Sequence, residues 1–451
     1  MAPNPPMGWN SYDRFGIMIN EAEAKAQADA MARLLLPRGW NYFVIDGGWY
    51  RPSRAPEEPA AGENAASVDS WGRCIPDEKR FPSSAGGAGL RPLADYVHER
   101  GLKFGLHVMR GIPRLAARDK LPVLKTNRNA DELADRQSVC PWSKTMWGLD
   151  WSQPEAQAYY DSIFSLYAGW GVDFVKMDDV VGYAPQPGAP APYHERDVEA
   201  ARAAADASGR EMVLSLSPGD FATAGMAAHM KRYAQTARVS ADFWDVWKNL
   251  KRQFDLLPAW TEHIGDGFWP DCDMLPIGMI GMRKDGTREP DRPSRFTRDE
   301  QQMMMTLWAI CRSPLFFGGD IALLDEPTLA LLTNAEVLAV NQHSRGNRQL
   351  FRRGEQVAWI AERPQGTGKY VALFNLADEG TAGIALTSDE LGLSGPAKAR
   401  DLWTGHDLGV SDALRLAVPA HGARLVGIGP LLQGPSQSSR SGRKQSRKGV
   451  V

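Results

Sequence analysis

Two charged side chains interrupt an apolar stretch of the sequence where a buried strand is expected to end. The stretch GVDFVKMDDV, residues 171–180, contains Lys176 and Asp178. Because side chains alternate along a strand, both charges share a face with Val172 and Phe174 and would lie at its rim, above that apolar pair. A positive charge at Lys176 favours an ionised Asp178, which a nucleophile or charge-stabilising group requires. A structural salt bridge is the alternative interpretation of this motif alone.

A second carboxyl group lies in an aromatic segment. In ARVSADFWDVW, residues 237–247, Arg238 precedes Asp242, and aromatic side chains follow. A carboxyl group among aromatic side chains keeps its proton to higher pH, as a general acid needs. The alternative is that Asp242 caps the following helix, since Asp is a preferred N-cap residue. One carboxyl group whose pKa is lowered and a second whose pKa is raised indicate the chemistry of glycoside hydrolysis.

Three tryptophans, Trp9, Trp49 and Trp269, lie where strands are expected to end. An indole face can stack on the C–H groups of a sugar ring, so these positions fit the same chemistry. Packing in the core is the alternative for each of them, because tryptophan is highly buried on average.

Alternating strands and helices would position these side chains. Five apolar stretches and three weaker ones are predicted strands: 41–50, 101–109, 171–180, 210–219 and 313–321, with MGWNSY, QTARVSA and DGFWPDCD. Helical patterns separate them. Eight strand–helix repeats predict an α/β fold, a (β/α)8 TIM barrel over residues 1–345. In such a barrel the loops at the carboxyl ends of the strands build the active site.

The helix starts and the long loops can also be located. Pairs with the spacing of an N-cap and its N3 partner are Asn20 with Glu23, Thr297 with Glu300, and Thr333 with Glu336. Three segments are predicted insertions in the barrel: 51–70, 111–150 and 181–198.

The pattern changes near residue 350. Short strands with few helical segments between them are predicted at QVAWIAER, KYVALFNLA, GTAGIALT, ARDLWTG and GARLVGIG. They predict a C-terminal antiparallel β-sandwich domain over residues 346–432. The basic, low-complexity tail 433–451 is predicted to be disordered, and a solvated tail is favoured over a nucleic-acid contact.

Composition narrows the classes of partner. The 451 residues include 52 basic and 54 acidic side chains, for a net charge of −2, so no nucleic-acid partner is implied. Neither a signal peptide nor a membrane-spanning stretch is recognisable, and we expect a cytoplasmic protein. The four cysteines are widely spaced without a nearby histidine, so they are expected to be reduced and structural. No metal site and no cofactor are predicted.

Motifs along nearly the whole chain resemble those of one family. They are PPMGWNSYDRFG, YFVIDGGWY, GLRPLADYVHERGLKFGLH, WGVDFVKMDD, WPDCDMLPIG, LWAICRSPLFFGGDI and LTNAEVLAVNQHSRG. In this order they are similar to the motifs of glycoside hydrolase family 27, the α-galactosidase or melibiase group. The later segments DLWTG and HGARLVGI resemble the C-terminal domain of that family.

The resemblance implies a role for each matching residue. Asp178 falls on the nucleophile and Asp242 on the acid/base. The implied sugar-binding residues are Asp46 for the 4- and 6-hydroxyls, Trp49, Lys176 and Arg238, with Asp271 and Asp273 supporting the site from the seventh strand. The implied partner is a carbohydrate substrate.

The chain departs from the family pattern at two sugar-reading positions. Gly47 stands where the family usually has a second aspartate beside Asp46. Ser217 and Pro218 stand where α-galactosidases have a glutamate that binds the 2-hydroxyl. The catalytic pair is retained, so the reaction type is better supported than the identity of the sugar.

A basic group above the third strand is a further departure. HVMRGIPR contributes His107, Arg110 and Arg114, of which His107 and Arg110 are predicted substrate contacts. For the arginines, anchoring a loop is the alternative. Val180 replaces a cysteine that commonly follows the nucleophile motif, which removes a disulfide typical of secreted members.

Three functions remain open. The first is a retaining exo-glycosidase, of α-galactosidase type or acting on a β-L-arabinopyranoside or an α-N-acetylgalactosaminide. The second is a carbohydrate-binding protein without catalysis, against which the retained pair Asp178 and Asp242 argues. The third is a metal-dependent hydrolase using His107 and Asp46, which the lack of a ligand pair at the strand ends disfavours.

Overall fold

The computed structural model describes residues 2–52, 66–183, 191–219, 222–284, 287–288, 290–364, 368–393 and 395–429. Within these ranges eight parallel strands form one curled sheet. In chain order they are Met7–Asn10, Tyr42–Ile45, Lys103–Met109, Phe174–Asp178, Val213–Ser217, Thr236–Arg238, Trp269–Asp271 and Leu315–Phe317. Each lies in one of the eight predicted segments. The predicted disordered tail lies outside the described residues.

The sheet closes into a barrel. Its strands pair in the order seventh, sixth, fifth, fourth, third, second, first and eighth. Just beyond the seventh strand, Leu275 forms a parallel bridge with Phe317 of the eighth. The interior is filled by a buried apolar cluster that includes Tyr42, Phe174 and Phe316. The predicted TIM-barrel fold is therefore confirmed.

Helices follow the strands and cover the sheet. The main ones are Glu21–Leu34, Arg91–His98, Ala156–Trp170, Glu195–Ala207, Ala227–Tyr233, Trp247–Leu256, Arg298–Ile310, Glu326–Thr333 and Ala335–His343. Shorter helices are Tyr12–Phe15, Arg114–Arg118 and Ala130–Leu133. Turns of 3-10 helix are Leu36–Arg38, Pro82–Gly87, Ala224–Met226, Leu257–His263 and Ile321–Leu323.

Side-chain caps fix where several of these helices begin. Two predicted capping pairs form the expected reciprocal hydrogen bonds, those that begin at Asn20 and Thr297. The third prediction is wrong, because Thr333 ends one helix and Asn334 caps the next. The Asn334 side chain accepts from two backbone N–H groups of the first turn of Ala335–His343. Only one residue separates these helices, so the cap falls on it.

The predicted insertion at 111–150 forms its own small sheet. Its strands are Ile112–Pro113, Ala134–Val139 and Met146–Leu149, with the last of these in the middle. Arg114 holds this insertion together, since its guanidinium lies 3.7 Å from the centre of the Trp147 ring and its Nε donates to the Met146 carbonyl at 3.0 Å. Short hairpins after the seventh strand pair Met279–Ile280 with Arg292–Pro293 and Arg283–Lys284 with Thr287–Arg288.

A C-terminal antiparallel β-sandwich follows the barrel. Its strands are Arg345–Arg353, Gln356–Glu362, Lys369–Asn375, Thr381–Thr387, Ala397–Asp401, Asp407–Ser411, Ala413–Pro419 and Gly422–Ile428. In the described chain, Thr381–Thr387 and Ala413–Pro419 form a two-stranded sheet and the other six form the second sheet. Along Gln356–Glu362, Val357 and Trp359 pack toward the barrel, whereas Ala358 and Ile360 pack between the sheets. Burial on both faces explains the continuous apolar run of this strand.

The two domains share a packed interface. Phe374 of the sandwich lies edge-on to Phe254 of the barrel, with ring centres 4.9 Å apart. The His421 ring stacks on Trp247 at 3.6 Å. Trp403 donates its indole N–H to the Thr306 hydroxyl at 2.9 Å. This continuous contact makes the sandwich part of one structure with the barrel.

Among the described residues, no helix is both long and apolar enough to cross a membrane.

We expect Phe374→Ala to lower the free energy of unfolding by about 3–5 kcal/mol, because it removes a buried aromatic ring and leaves a cavity at the interface. Phe374→Leu, which keeps an apolar side chain, should cost less. Urea denaturation followed by far-UV circular dichroism would measure both effects. Two separate unfolding transitions, one for each domain, would show that the interface does not couple the domains.

Candidate active site

A cavity of about 360 Å³ opens at the carboxyl ends of the barrel strands. Its polar lining is Tyr12, Asp13, Asp46, Arg51, His107, Ser143, Lys176, Asp178, Asp179, Ser217, Arg238, Asp242 and Asp273. Its further aromatic lining is Tyr50, Trp142, Tyr183, Phe243 and Trp244. This volume is in the range of small-molecule sites, and the position is that of active sites in this fold.

Lys176 and Asp46 form a buried ion pair at the base of the pocket. The Lys176 ammonium donates to Asp46 Oδ2 at 2.8 Å, and the Asn10 amide donates to the same oxygen at 2.7 Å. The backbone N–H of Gly47 donates to Asp46 Oδ1 at 2.7 Å. Burial alone would raise the pKa of Asp46, but the charges of Lys176 and His107 outweigh it and hold that pKa well below its usual range. The sequence placed Lys176 beside Asp178, whereas its direct partner is Asp46.

His107 is the direct partner of Asp178. Its Nε2 lies 3.1 Å from Asp178 Oδ2, so the imidazole donates to the carboxylate. Burial acts to raise the pKa of Asp178, but the His107 hydrogen bond and the charges of His107, Lys176 and Arg238 lower it overall. Phe174, on the same strand, lies in the interior core as predicted. The strand begins at Phe174, so Val172 precedes it and packs in the outer core instead.

Arg238 joins the predicted acid/base to the seventh strand. Its Nη1 donates to Asp242 Oδ1 at 2.8 Å and to Asp273 Oδ2 at 3.0 Å. The Asp242 side chain is 65 % exposed, so the predicted aromatic enclosure is wrong. Its neighbour Phe243 packs on Trp308 in the core.

Asp242 does not cap the helix that follows it. That helix begins at Trp247, and its N-cap is Val246. The capping alternative is therefore excluded, and the Asp242 carboxylate stands open at the pocket.

Asp271 and Ser217 line a smaller cavity beside the main pocket. Asp271 lines this cavity rather than the pocket itself, and its Oδ1 accepts from the backbone N–H of Asp273 at 2.8 Å. Burial and the charge of Asp273 raise the pKa of Asp271 to about 7. Ser217 reaches both spaces, and its buried hydroxyl has no hydrogen-bond partner within the described chain. Asp271 therefore supports the site, and Ser217 keeps an unused hydroxyl in it.

None of the three predicted sugar-stacking tryptophans lines the pocket. Trp9 and Trp49 are fully buried in the outer core, and Trp269 is 1 % exposed. Trp269 begins the seventh strand, at the amino end of the barrel, where it donates to the carbonyl of Ala2 at 2.9 Å. Trp49 donates to the His107 carbonyl at 2.9 Å and so holds that strand in place. Core packing, the alternative, describes all three.

Arg110 is also absent from the pocket lining. Its guanidinium is buried, donates to the Asp179 carbonyl at 2.8 Å and pairs with Asp179 Oδ2 at 3.0 Å. Asp179 has a left-handed backbone with φ of +61°, and burial raises its pKa to about 7. The backbone N–H of Arg110 also donates to the carbonyl of Asp178 at 3.2 Å. Arg110 therefore anchors the loop behind Asp178, as the alternative interpretation held.

The imidazole of His107 occupies the space beside Gly47. A Cβ added to Gly47 would lie 3.4 Å from both Cε1 and Nδ1 of that ring. Within the described residues, Nδ1 is buried without a hydrogen-bond partner. The family's second carboxylate is thus absent, and a histidine fills the adjoining volume.

Several lining residues were not found from the sequence. Tyr12 and Asp13 follow the first strand, and Asp13 is buried with neither carboxyl oxygen hydrogen-bonded to the described chain. Burial and the charge of Asp273 raise the pKa of Asp13 well above its usual range. Trp142 and Tyr183 lie in the predicted insertions, where no periodic pattern marks which side chains face the pocket. The described residues contain no group of three or more His, Cys, Asp or Glu placed to hold a metal ion.

A parallel barrel whose pocket is lined by Asp178, at the end of the fourth strand, and by Asp242, in the loop after the sixth, is the arrangement of a glycoside hydrolase. Comparison with known proteins gives the family, and the chain belongs to glycoside hydrolase family 27, the α-galactosidase family. The profile "Alpha galactosidase A" matches residues 150–343, and "Alpha galactosidase C-terminal beta sandwich domain" matches residues 353–428.

The relatives differ in the sugar that their names give. Alpha-galactosidase 2 of Arabidopsis thaliana is 28 % identical over 410 residues, which cover 89 % of this chain and 83 % of that protein. The crystal structure of a β-L-arabinopyranosidase from Geobacillus stearothermophilus is 44 % identical, covers 96 % of this chain and 98 % of its own, and has a TM-score of 0.88. A variant of that enzyme was solved in complex with arabinose. A Bacillus halodurans protein with a provisional description as an α-N-acetylgalactosaminidase is 41 % identical, covers 94 % and 97 %, and has a TM-score of 0.83.

The His107–Asp178 hydrogen bond predicts a shift in the pH profile. A lowered pKa keeps Asp178 ionised as the pH falls through its usual range, so kcat/KM should persist there. In His107→Phe the carboxyl group stays buried but loses its hydrogen bond, so its pKa rises and the acid limb of kcat/KM should move to higher pH. The matched control is His98→Phe, which removes a His–Asp pair with Asp173 away from the pocket. An unchanged acid limb in His107→Phe would show that the hydrogen bond from His107 to Asp178 does not control the pH dependence of kcat/KM.

Proposed function

We propose that the protein is a retaining exo-glycosidase that cleaves terminal β-L-arabinopyranosides, with α-galactosides as slower substrates. Asp178 is the nucleophile and Asp242 is the acid/base. The observation that carries the choice of sugar is the replacement of the family's second carboxylate by Gly47, with the His107 ring in the adjoining space.

The proposed reaction has two steps. Asp178 attacks the anomeric carbon while Asp242 gives its proton to the departing oxygen, which leaves a glycosyl ester on Asp178. Asp242 then takes a proton from water, which attacks the same carbon and frees Asp178. The two roles are assigned from the exposure of each carboxyl group. The buried Asp178 is held ionised, as a nucleophile must be, and the exposed Asp242 has access to water.

The environment of Gly47 supports an arabinopyranoside. The resemblance to the family assigns Asp46 and the missing aspartate to the 4- and 6-hydroxyls. Here Asp46 remains, tied to Lys176, so the 4-hydroxyl keeps its partners. The acceptor for the 6-hydroxyl is missing, and β-L-arabinopyranose is the galactose-configured sugar without carbon 6. The name of the relative at 44 % identity agrees with this choice.

Ser217 favours a second candidate, an α-N-acetylgalactosaminide. A serine in place of glutamate removes a charged partner of the 2-hydroxyl. The shorter, uncharged side chain also leaves room for a larger group at carbon 2. The provisional description of the relative at 41 % identity points the same way. A loss of catalysis is disfavoured, because both carboxyl groups are present in one pocket with charged partners.

The sugar is tested by comparing kcat/KM for 4-nitrophenyl β-L-arabinopyranoside, α-galactoside and α-N-acetylgalactosaminide. We expect the arabinopyranoside to be preferred over the α-galactoside by about tenfold or more, since a site lacking a hydroxyl's partner gains little from that hydroxyl. A higher kcat/KM for the α-galactoside than for the arabinopyranoside would overturn the proposal, because it would require another group in the role of the missing carboxylate.

The catalytic roles predict different responses to the leaving group. Asp178→Asn should lower kcat by several orders of magnitude for every substrate, because the nucleophile is lost. Asp242→Ala should harm alkyl glycosides far more than 4-nitrophenyl glycosides, since a good leaving group needs little protonation. Kinetics over a leaving-group series measures this. Equal losses across the series would show that Asp242 is not the acid.

A further inference from the structure

Exposed aromatic side chains at the mouth of the pocket have no part in the two reaction steps. Trp142 is 53 % exposed and Tyr183 is 51 % exposed, yet both line the pocket. The half-buried Trp244 lines it as well. Large aromatic surface left open to water commonly marks a binding site.

The backbone around these side chains is well anchored. Trp142 lies in the short loop between Ala134–Val139 and Met146–Leu149, flanked by the buried Cys140 and Thr145. The carbonyl of Thr145 accepts from the Arg114 N–H at 2.9 Å.

Tyr183 follows a short bridge between Val181 and Tyr193, and the Gly182 N–H donates to the Pro192 carbonyl at 2.8 Å. The backbone next to both aromatic groups is therefore hydrogen-bonded while their side chains remain exposed, and a hydrogen-bonded backbone lowers the entropy cost of binding.

The position of Asp242 indicates what these side chains would meet. An acid that protonates the glycosidic oxygen faces the bond to the leaving group, so the aglycone extends from the site on the side of Asp242. Asp46 and Lys176 line the same pocket but form a buried pair, with little surface open to solvent. Asp242 is open to solvent, and Trp244 lies two residues beyond it. An aglycone leaves through the opening of this pocket, whose exposed lining includes Trp142 and Tyr183.

We propose that Trp142, Tyr183 and Trp244 form a subsite for a pyranose ring of the aglycone, so that the natural substrate carries the cleaved sugar on another sugar. Aromatic faces pack against the C–H face of a pyranose, and a Trp indole N–H can donate to its hydroxyls. The inference rests on the proposed function only in taking the pocket as the place of the cleaved sugar.

The test uses Trp142→Ala and Tyr183→Ala with three substrates: methyl β-L-arabinopyranoside, octyl β-L-arabinopyranoside and a β-L-arabinopyranosyl-galactose disaccharide. We expect each variant to lose about tenfold more kcat/KM on the disaccharide than on the methyl glycoside. Trp142→Phe, which keeps an aromatic face, should recover much of that loss. The matched control is Trp71→Ala, which removes a tryptophan that is 36 % exposed and lies outside the pocket lining.

Equal losses on the disaccharide and the methyl glycoside would overturn the subsite. A selective loss on the octyl glycoside without one on the disaccharide would overturn the sugar as its ligand. If the wild-type enzyme does not cleave arabinopyranosides, methyl α-galactoside and melibiose give the same comparison. Failure of the proposed sugar is thereby distinguished from failure of the aglycone subsite.

Discussion

Compensation of charge at the carboxyl end of the barrel is the constraint on which the rest of the site depends. Below it, the interior is apolar and filled by Phe174 and its neighbours. A charge placed directly above this core is stable only if it is paired and hydrogen-bonded. Lys176 and Asp46 pair with each other, and removing either would strand the other at a cost of about 3–5 kcal/mol. The same residues are those that a sugar would meet.

The carboxyl groups of Asp178 and Asp242 differ in exposure because different charged partners hold them. Asp178 is held in the wall by His107, with Arg110 bonded to the backbone behind it. Asp242 extends into solvent and touches the protein through Arg238. Arg238 in turn pairs with Asp273, whose left-handed φ of +79° is the kind of strain that occurs where a side chain must be aimed. One fixed group and one open group suit a reaction in which only the second must exchange protons with water.

The sequence predicted the barrel because each short strand is bounded by turn residues and the repeats are regular. It also located the charged strand ends, since alternation within a strand determines which residues reach the rim. It could not tell which face of a strand a tryptophan would take, so Trp9, buried toward the helices, was placed in the site. The aromatic residues next to Asp242 in the sequence led to a wrong prediction that they enclose its carboxyl group, because Phe243 packs into the core instead. Trp142 lies in a loop, where no period predicts a direction.

The approach of Gly47 to His107 restricts how this enzyme could change its substrate by mutation. An aspartate at position 47 would point its side chain toward the imidazole, whose Nδ1 has no hydrogen-bond partner in the described chain. The new carboxylate would then form a hydrogen bond with His107 in preference to a hydroxyl group of the sugar. Recovering an acceptor for carbon 6 therefore needs coordinated changes at both positions, with little benefit from the first alone. The two residues are therefore coupled, and that coupling would make the proposed specificity slow to reverse by single mutations.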